Sequence, residues 1–268
     1  MNRLSGGGRM RETALMVSEY VQSDQFRGAR IHLCDLAGLE IRDCEVNGLK
    51  IVDCYGSDIS LGGAFERLVV NDVDVTAYVE GELDRRHPAR ALAREADSPE
   101  DYQKAWDAIE TLWNGTLDRA RQLPADKLHE QVDGEWSFVE TQRHLLFACD
   151  AWFGNAVLED DDPYHPLGFP AGGTPAEESA KLGLDLSASP TLDEVLAPRL
   201  ARMAEMRRVI NGLTVAELDR VCGRKPAGPY PDQEYVVRRC IKVVLKEEAE
   251  HHRYAVRDLA VLEAGLVS

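Results

Sequence analysis

From Phe26 the chain repeats itself every five residues. Phe26, Ile31, Leu36, Ile41, Val46, Ile51 and Leu61 fall on one register, broken only by Gly56. A second series, Ala29, Cys34, Leu39, Cys44, Leu49, Cys54 and Ile59, runs two residues ahead of those positions. A helix repeats near 3.6 residues and a strand at 2, so neither produces this pattern. A period of five makes the chain turn a corner every five residues. Four corners close a square coil of about 20 residues, with the register residues pointing inward and coils stacking through the backbone. Residues 25–76 are therefore expected to form a short β-helix of about 2.5 coils, capped by the C-terminal domain. The register lapses after Leu61, and Leu68 to Val75 alternates like an ordinary strand.

This segment resembles the pentapeptide-repeat family, whose loose rule is Ala-Asp-Leu-x-x. Cys34-Asp35-Leu36 is the nearest single match, and the larger Leu39, Leu49 and Ile59 at the small site depart from the rule. The resemblance implies a right-handed coil. Cys34, Cys44 and Cys54 then read as small inward apolar residues. No Cys-x-x-Cys pair occurs among the six cysteines, so a zinc ribbon or thioredoxin motif has no support, and reduced thiols are expected.

Residues 1–24 read as a disordered tail. Met1 to Met10 carries two arginines and a Gly-Gly-Gly run but no apolar core of a secretory signal. No apolar run approaches the roughly 18–20 residues of a membrane span. A formal net charge of −16 repels a phosphate backbone, so neither a membrane nor a nucleic acid is an expected partner, and the expected location is cytoplasmic.

Residues 77–96, with Asp84-Arg85-Arg86-His87-Pro88, read as a linker. Residues 97–264 carry four amphipathic helical patterns. The first starts with Ser98 as N-cap and Pro99 behind it, and shows an apolar face of Trp106, Ile109, Leu112, Trp113, Leu117 and Ala120. The second spans about Phe138 to Leu158. The third opens on a capping box, Thr191 with Glu194, and uses Val195, Leu196, Leu200, Met203, Met206 and Ile210. A further box, Thr214 with Glu217, starts a short helix, and the last long helix runs from about Tyr235 to Ala264. The expected fold class is mainly α: an up-down four-helix bundle preceded by the short β-helix. The loop from Glu159 to Pro190 is longer than loops usually are unless they cover a site.

The histidines carry the functional signal. His144 lies on the second helix, and the last helix contains Glu247-Glu248-Ala249-Glu250-His251-His252. Glu and His four apart on a helix stack one turn above each other and can share an ion. A third ligand from a facing helix gives a three-ligand site with open positions, the catalytic form of a metal site. Two pairs compete. Periodicity favours Glu248/His252, near the centre of the stripe Ile241, Leu245, Ala255, Leu259. A ligand facing a cleft favours Glu247/His251, on its flank.

Gly134-Glu135-Trp136-Ser137 through His144-Leu145, together with Glu247 through Leu259, resembles the two halves of the DinB-like superfamily motif over roughly residues 97–264. That family is a four-helix bundle with a His on the second helix and a His-x-x-x-His pair on the last. Here Glu replaces the first His of the pair, a mark of the mycothiol-linked branch, in which a Glu-Glu-x-x-His form counts from Glu247 to His251. The resemblance implies a divalent metal, zinc by the donor types, held by His144, Glu247 and His251. It also implies mycothiol or another low-molecular-weight thiol as co-substrate, an electrophilic small molecule as acceptor, and a homodimer as a plausible assembly. Three functions stay open: a metal-dependent thiol S-transferase, a metal-dependent hydrolase using an activated water, and a non-catalytic metal-binding or protein-interaction module. No Gly-x-Ser-x-Gly elbow supports a serine triad.

Overall fold

The computed structural model describes residues 20–21, 23–171, 174–228 and 230–266. The tail expected over residues 1–24 lies almost wholly outside them. The chain divides into two compact units, Met1–Ile51 and Val52–Ser268.

In the first unit the five-residue period is written in the backbone. Gly28, Leu33, Gly38, Asp43 and Gly48 all take left-handed φ values between 52° and 77°. Turns close locally, with Ala29, Leu39 and Leu49 donating to the carbonyls of Phe26, Leu36 and Val46. Corners are thus present, but no strand is assigned among the described residues of this unit. Ile31, Leu36, Ile41 and Ile51 are about half exposed rather than enclosed, and Cys34 and Cys44 are exposed too. A β-helix is therefore not shown. The physical reason is the small number of coils: an inward side chain is covered only by the coils above and below it.

In the second unit the stretch expected as one strand is a minimal hairpin. β1 (Val69–Val70) pairs antiparallel with β2 (Val73–Asp74). Asn71 and Asp72 between them are both left-handed, at φ 47° and 65°, as a type I′ turn requires. The segment read as a linker folds into α1 (Thr76–Arg86) and α2 (Pro88–Glu95). Small residues at four-residue spacing make α2 a packing helix: Ala89 and Ala93 are buried. Arg90 of α2 bonds Asp84 of α1 and Glu250 on the last helix.

The bundle consists of α3 (Pro99–Ala120), α4 (Phe138–Cys149, extended by a π-helical turn over Asp150–Asn155), α6 (Leu192–Asn211) and α8 (Val237–Gly265). Two short helices, α5 (Ala176–Lys181) and α7 (Val215–Leu218), lie in the connections. Three of the long helices start on reciprocal capping boxes: Ser98 with Asp101, Ser137 with Glu140, and Thr191 with Glu194. Each satisfies two backbone donors that a helix start leaves orphaned. Trp106, Trp113, Tyr102, Phe153 and Met206 fill the core. Leu112 and Leu200, expected inside, are exposed at 37% and 41%.

Helix α4 packs on α6 and α8, and α3 packs on the same two, so α3/α4 and α6/α8 are the diagonals. Side-chain pairs give the directions. Tyr102 Oη donates to Arg238 O and Arg119 pairs with Glu263, so α3 and α8 run parallel. Arg199 meets Trp113 while Arg207 meets Glu110, so α6 runs against α3. Arg199 meets Gln142 while Arg202 meets Asp150, so α4 and α6 run the same way. The bundle is therefore up, down, down, up, a correction to alternating up-down order. The long connection between α4 and α6 returns the chain to the same end before α6 begins, which a short turn would not allow. Among the described residues, no helix is long and apolar enough to cross a membrane.

Candidate metal centre

Helices α4 and α8 face each other antiparallel, which brings His144 to Glu247 and His251. His251 Nε2 lies 3.2 Å from Glu247 Oε2, and His144 Nε2 lies 3.5 Å from the same oxygen. The three candidate ligand atoms all lie within 4.8 Å of one another. Donors held at about 2.0–2.1 Å in a tetrahedron stand roughly 3.3 Å apart, so the spacing suits a single ion. Among the described residues, no other trio of His, Cys, Asp or Glu donors meets this spacing.

The donor chemistry also fits a cation. His144 Nδ1 lies 3.0 Å from the carbonyl oxygen of Phe169. A carbonyl only accepts, so Nδ1 holds the proton and donates it, and Nε2 is the atom presented to Glu247. A lone pair on Nε2 facing a carboxylate needs a cation between them, either a proton or a metal ion. Fixing one ring nitrogen by a backbone carbonyl is the usual second layer around a metal-binding His. Burial raises the Glu247 carboxyl, but hydrogen bonds and charge from His144 and His251 outweigh it and hold it near 2.

Aromatic rings frame the cluster. Trp136 stacks on His251 at 5.6 Å with 16° between planes, and its centroid is 4.5 Å from that of His144. Phe169 stands edge-on to Trp136 at 5.9 Å. His144 is buried, whereas Glu247 and His251 are half-buried, so the α8 flank remains open to solvent.

The alternative pair points elsewhere. One residue along a helix is a turn of about 100°. Glu248 takes both ends of the Arg199 guanidinium, at 2.8 and 2.7 Å, and each residue is 1% exposed. Arg199 Nε donates to Gln142 Oε1 at 2.8 Å, and its guanidinium lies 5.1 Å from the Trp113 ring. This one buried pair thus touches all four bundle helices. His252 Nε2 is 2.8 Å from Thr116 Oγ1, its ring is edge-on to Trp113, and burial lowers its pKa. Glu248 and His252 therefore serve the core and do not join His144.

Arg199, the Phe169 carbonyl and the stacking of Trp136 have no role in the sequence reading. A signal for Arg199 exists. It sits on the four-residue stripe from Val195 to Met203, where a charge demands a buried partner.

Fold and cluster together define a helical bundle with a His/Glu/His donor group set between two antiparallel helices. The family model of the DinB superfamily matches residues 108–255, more than half of the chain, and the protein belongs to that superfamily. The matched span contains all three donors. A search of curated proteins returned no match.

Proposed function

We propose that the protein is a metal-dependent thiol S-transferase, joining a low-molecular-weight thiol to an electrophilic small molecule. The observation that carries this reading is a cluster of three protein donors with one flank open, since a closed structural site would use four. A bound divalent ion, zinc by its donor set, supplies a Lewis acid that lowers the pKa of a thiol brought to it.

The chain's own residues prepare that chemistry. Phe169 O holds His144 so that Nε2 faces the site. The Glu247 carboxylate offsets one of the ion's two charges and leaves the site cationic toward an incoming anion. Trp136 and Phe169 keep water from the α4 side, so exchange occurs at the α8 flank. The loop expected to line the pocket contributes through Phe169. Mycothiol as the thiol is carried over from the Glu-for-His replacement at the start of the last-helix pair. A cytoplasmic location and a homodimer belong to the same reading.

The test is thiol conjugation to a generic electrophile, with mycothiol and with cysteine, before and after chelator treatment. The reading expects a rate that falls with the chelator and returns with zinc. Equal rates throughout would sink it. Ester turnover that needs metal but no thiol would move the assignment to a hydrolase.

A further inference from the structure

Three backbone carbonyls converge on one buried guanidinium beside the candidate metal centre. Arg143 precedes His144 on α4 and is 3% exposed. Its Nε donates to Leu167 O at 2.9 Å, Nη1 to Ala188 O at 2.7 Å and Nη2 to Asp185 O at 2.7 Å. No carboxylate hydrogen-bonds it among the described residues. Its charge lies 5.1 Å from the centre of the Phe169 ring. Three charge-assisted bonds to carbonyl oxygens hold this buried charge in place. A lysine has donors enough but not the planar fork that reaches three separated acceptors.

The same loop is pinned by its main chain. Phe169 N–H donates to Arg143 O at 3.1 Å, and Phe169 O accepts from His144 Nδ1 at 3.0 Å. Residues 143 and 144 of α4 therefore grip both polar groups of Phe169. Gly168 allows the approach: a Cβ there would meet His165 O at 3.1 Å and Phe147 Cβ at 3.3 Å. The loop's other anchor lies upstream of Phe169, where Asp150 accepts from His165 N–H at 3.0 Å. Arg202 bonds Asp150, Asp160 and Pro163 O, and none of these is Phe169.

We propose that Arg143 is the positioning residue of the metal centre, locking Leu167, Asp185 and Ala188 against α4 so that the Phe169 carbonyl fixes His144 in its Nδ1–H tautomer. The inference rests on the metal reading above for its consequence, though not for its geometry. When the lock is lost, His144 also populates the Nε2–H tautomer, in which the lone pair sits on the wrong nitrogen for the site.

The experiment uses the full chain with Arg143→Met, Arg143→Lys and Arg202→Met. First, proton–nitrogen NMR of the imidazoles is recorded on metal-free protein at about pH 8.5, well above an ordinary imidazole pKa of about 6.5. Wild type and Arg202→Met should show His144 as Nδ1–H, while both Arg143 variants should show a mixture. Second, cobalt(II) is titrated and its visible absorption followed. Loss of an outer partner of a metal ligand weakens binding about 10–100-fold, and that range is expected for Arg143→Met. Arg202→Met should bind as wild type does despite a lower melting temperature. Arg143→Lys keeps the test alive if Arg143→Met fails to fold. An unchanged tautomer in a folded Arg143 variant overturns the proposal, as does cobalt affinity that falls equally in Arg202→Met. If wild type binds no cobalt, the metal reading fails, and the NMR arm still decides the positioning role.

Discussion

Glu248→Gln and Glu247→Gln alter adjacent residues by the same single oxygen-to-nitrogen change, yet the structure requires opposite outcomes. Glu248 is 1% exposed and grips both ends of an equally buried Arg199. Gln at 248 leaves that guanidinium buried with one neutral acceptor in place of a carboxylate, and turns an NH₂ toward an N–H. Breaking a buried pair from one side costs about 3–5 kcal/mol. For a unit of this size each kcal/mol moves Tm by about 2–4 °C, so the variant should melt roughly 6–20 °C lower. Glu247 is half-buried and its partners are two imidazoles on an open flank rather than a buried guanidinium, so Gln there should destabilise less than Glu248→Gln does. Thermal unfolding followed by circular dichroism on metal-free protein measures both. Replacing the buried set together, Arg199→Met with Glu248→Leu and Gln142→Met, should recover most of the loss, because apolar side chains leave neither an orphaned charge nor an unpaired Gln142 amide. Metal binding should show the reverse pattern, lost in Glu247→Gln and kept in folded Glu248→Gln. A Glu248→Gln protein melting within about 2 °C of wild type would refute the placement of this pair at the core.

Glu140 caps α4. Burial raises its carboxyl, but Ser137 and Gln131 hydrogen bonds outweigh that and lower its pKa. A carboxyl lowered by folding contributes stability that is present above its unfolded pKa of about 4.3 and is lost as pH falls through the folded value. Glu140→Gln should therefore destabilise at neutral pH and flatten the acid limb of urea midpoints measured against pH. Ser137→Ala removes the other half of that cap and should cost about 1 kcal/mol by urea denaturation. Trp136 stacks on His251, so zinc addition should change tryptophan fluorescence in wild type but not in Trp136→Phe, which should still bind the ion by calorimetry.

Much of the bundle is legible in the sequence because its helices announce their own starts. Ser98 and Thr191 read as N-caps in the sequence and both form capping boxes, and Ser137 with Glu140 forms a third that the sequence reading did not single out. The repeat is legible as a period and appears as left-handed corners at Gly28, Leu33 and Gly38. The coil it was expected to build is not shown among the described residues, because a corner is a local property and a stacked coil is not. Helix order is equally non-local. The periodicity of α6 says nothing about whether it runs with or against α4, and the side-chain pairs of Arg199 and Arg202 decide that. For the site, spacing narrows the last-helix donors to two pairs and stops there. Which pair meets His144 depends on Arg199, which occupies Glu248, and on Thr116, which meets His252. Both partners lie far away in sequence.

Zinc titration by calorimetry on wild type, His144→Ala, His251→Ala and His252→Ala tests the central claim most directly. The account predicts one ion per chain for wild type and for His252→Ala, and none at the same concentration for His144→Ala or His251→Ala. A wild-type chain that binds no divalent ion, or binding that disappears with His252 and survives loss of His251, would contradict it.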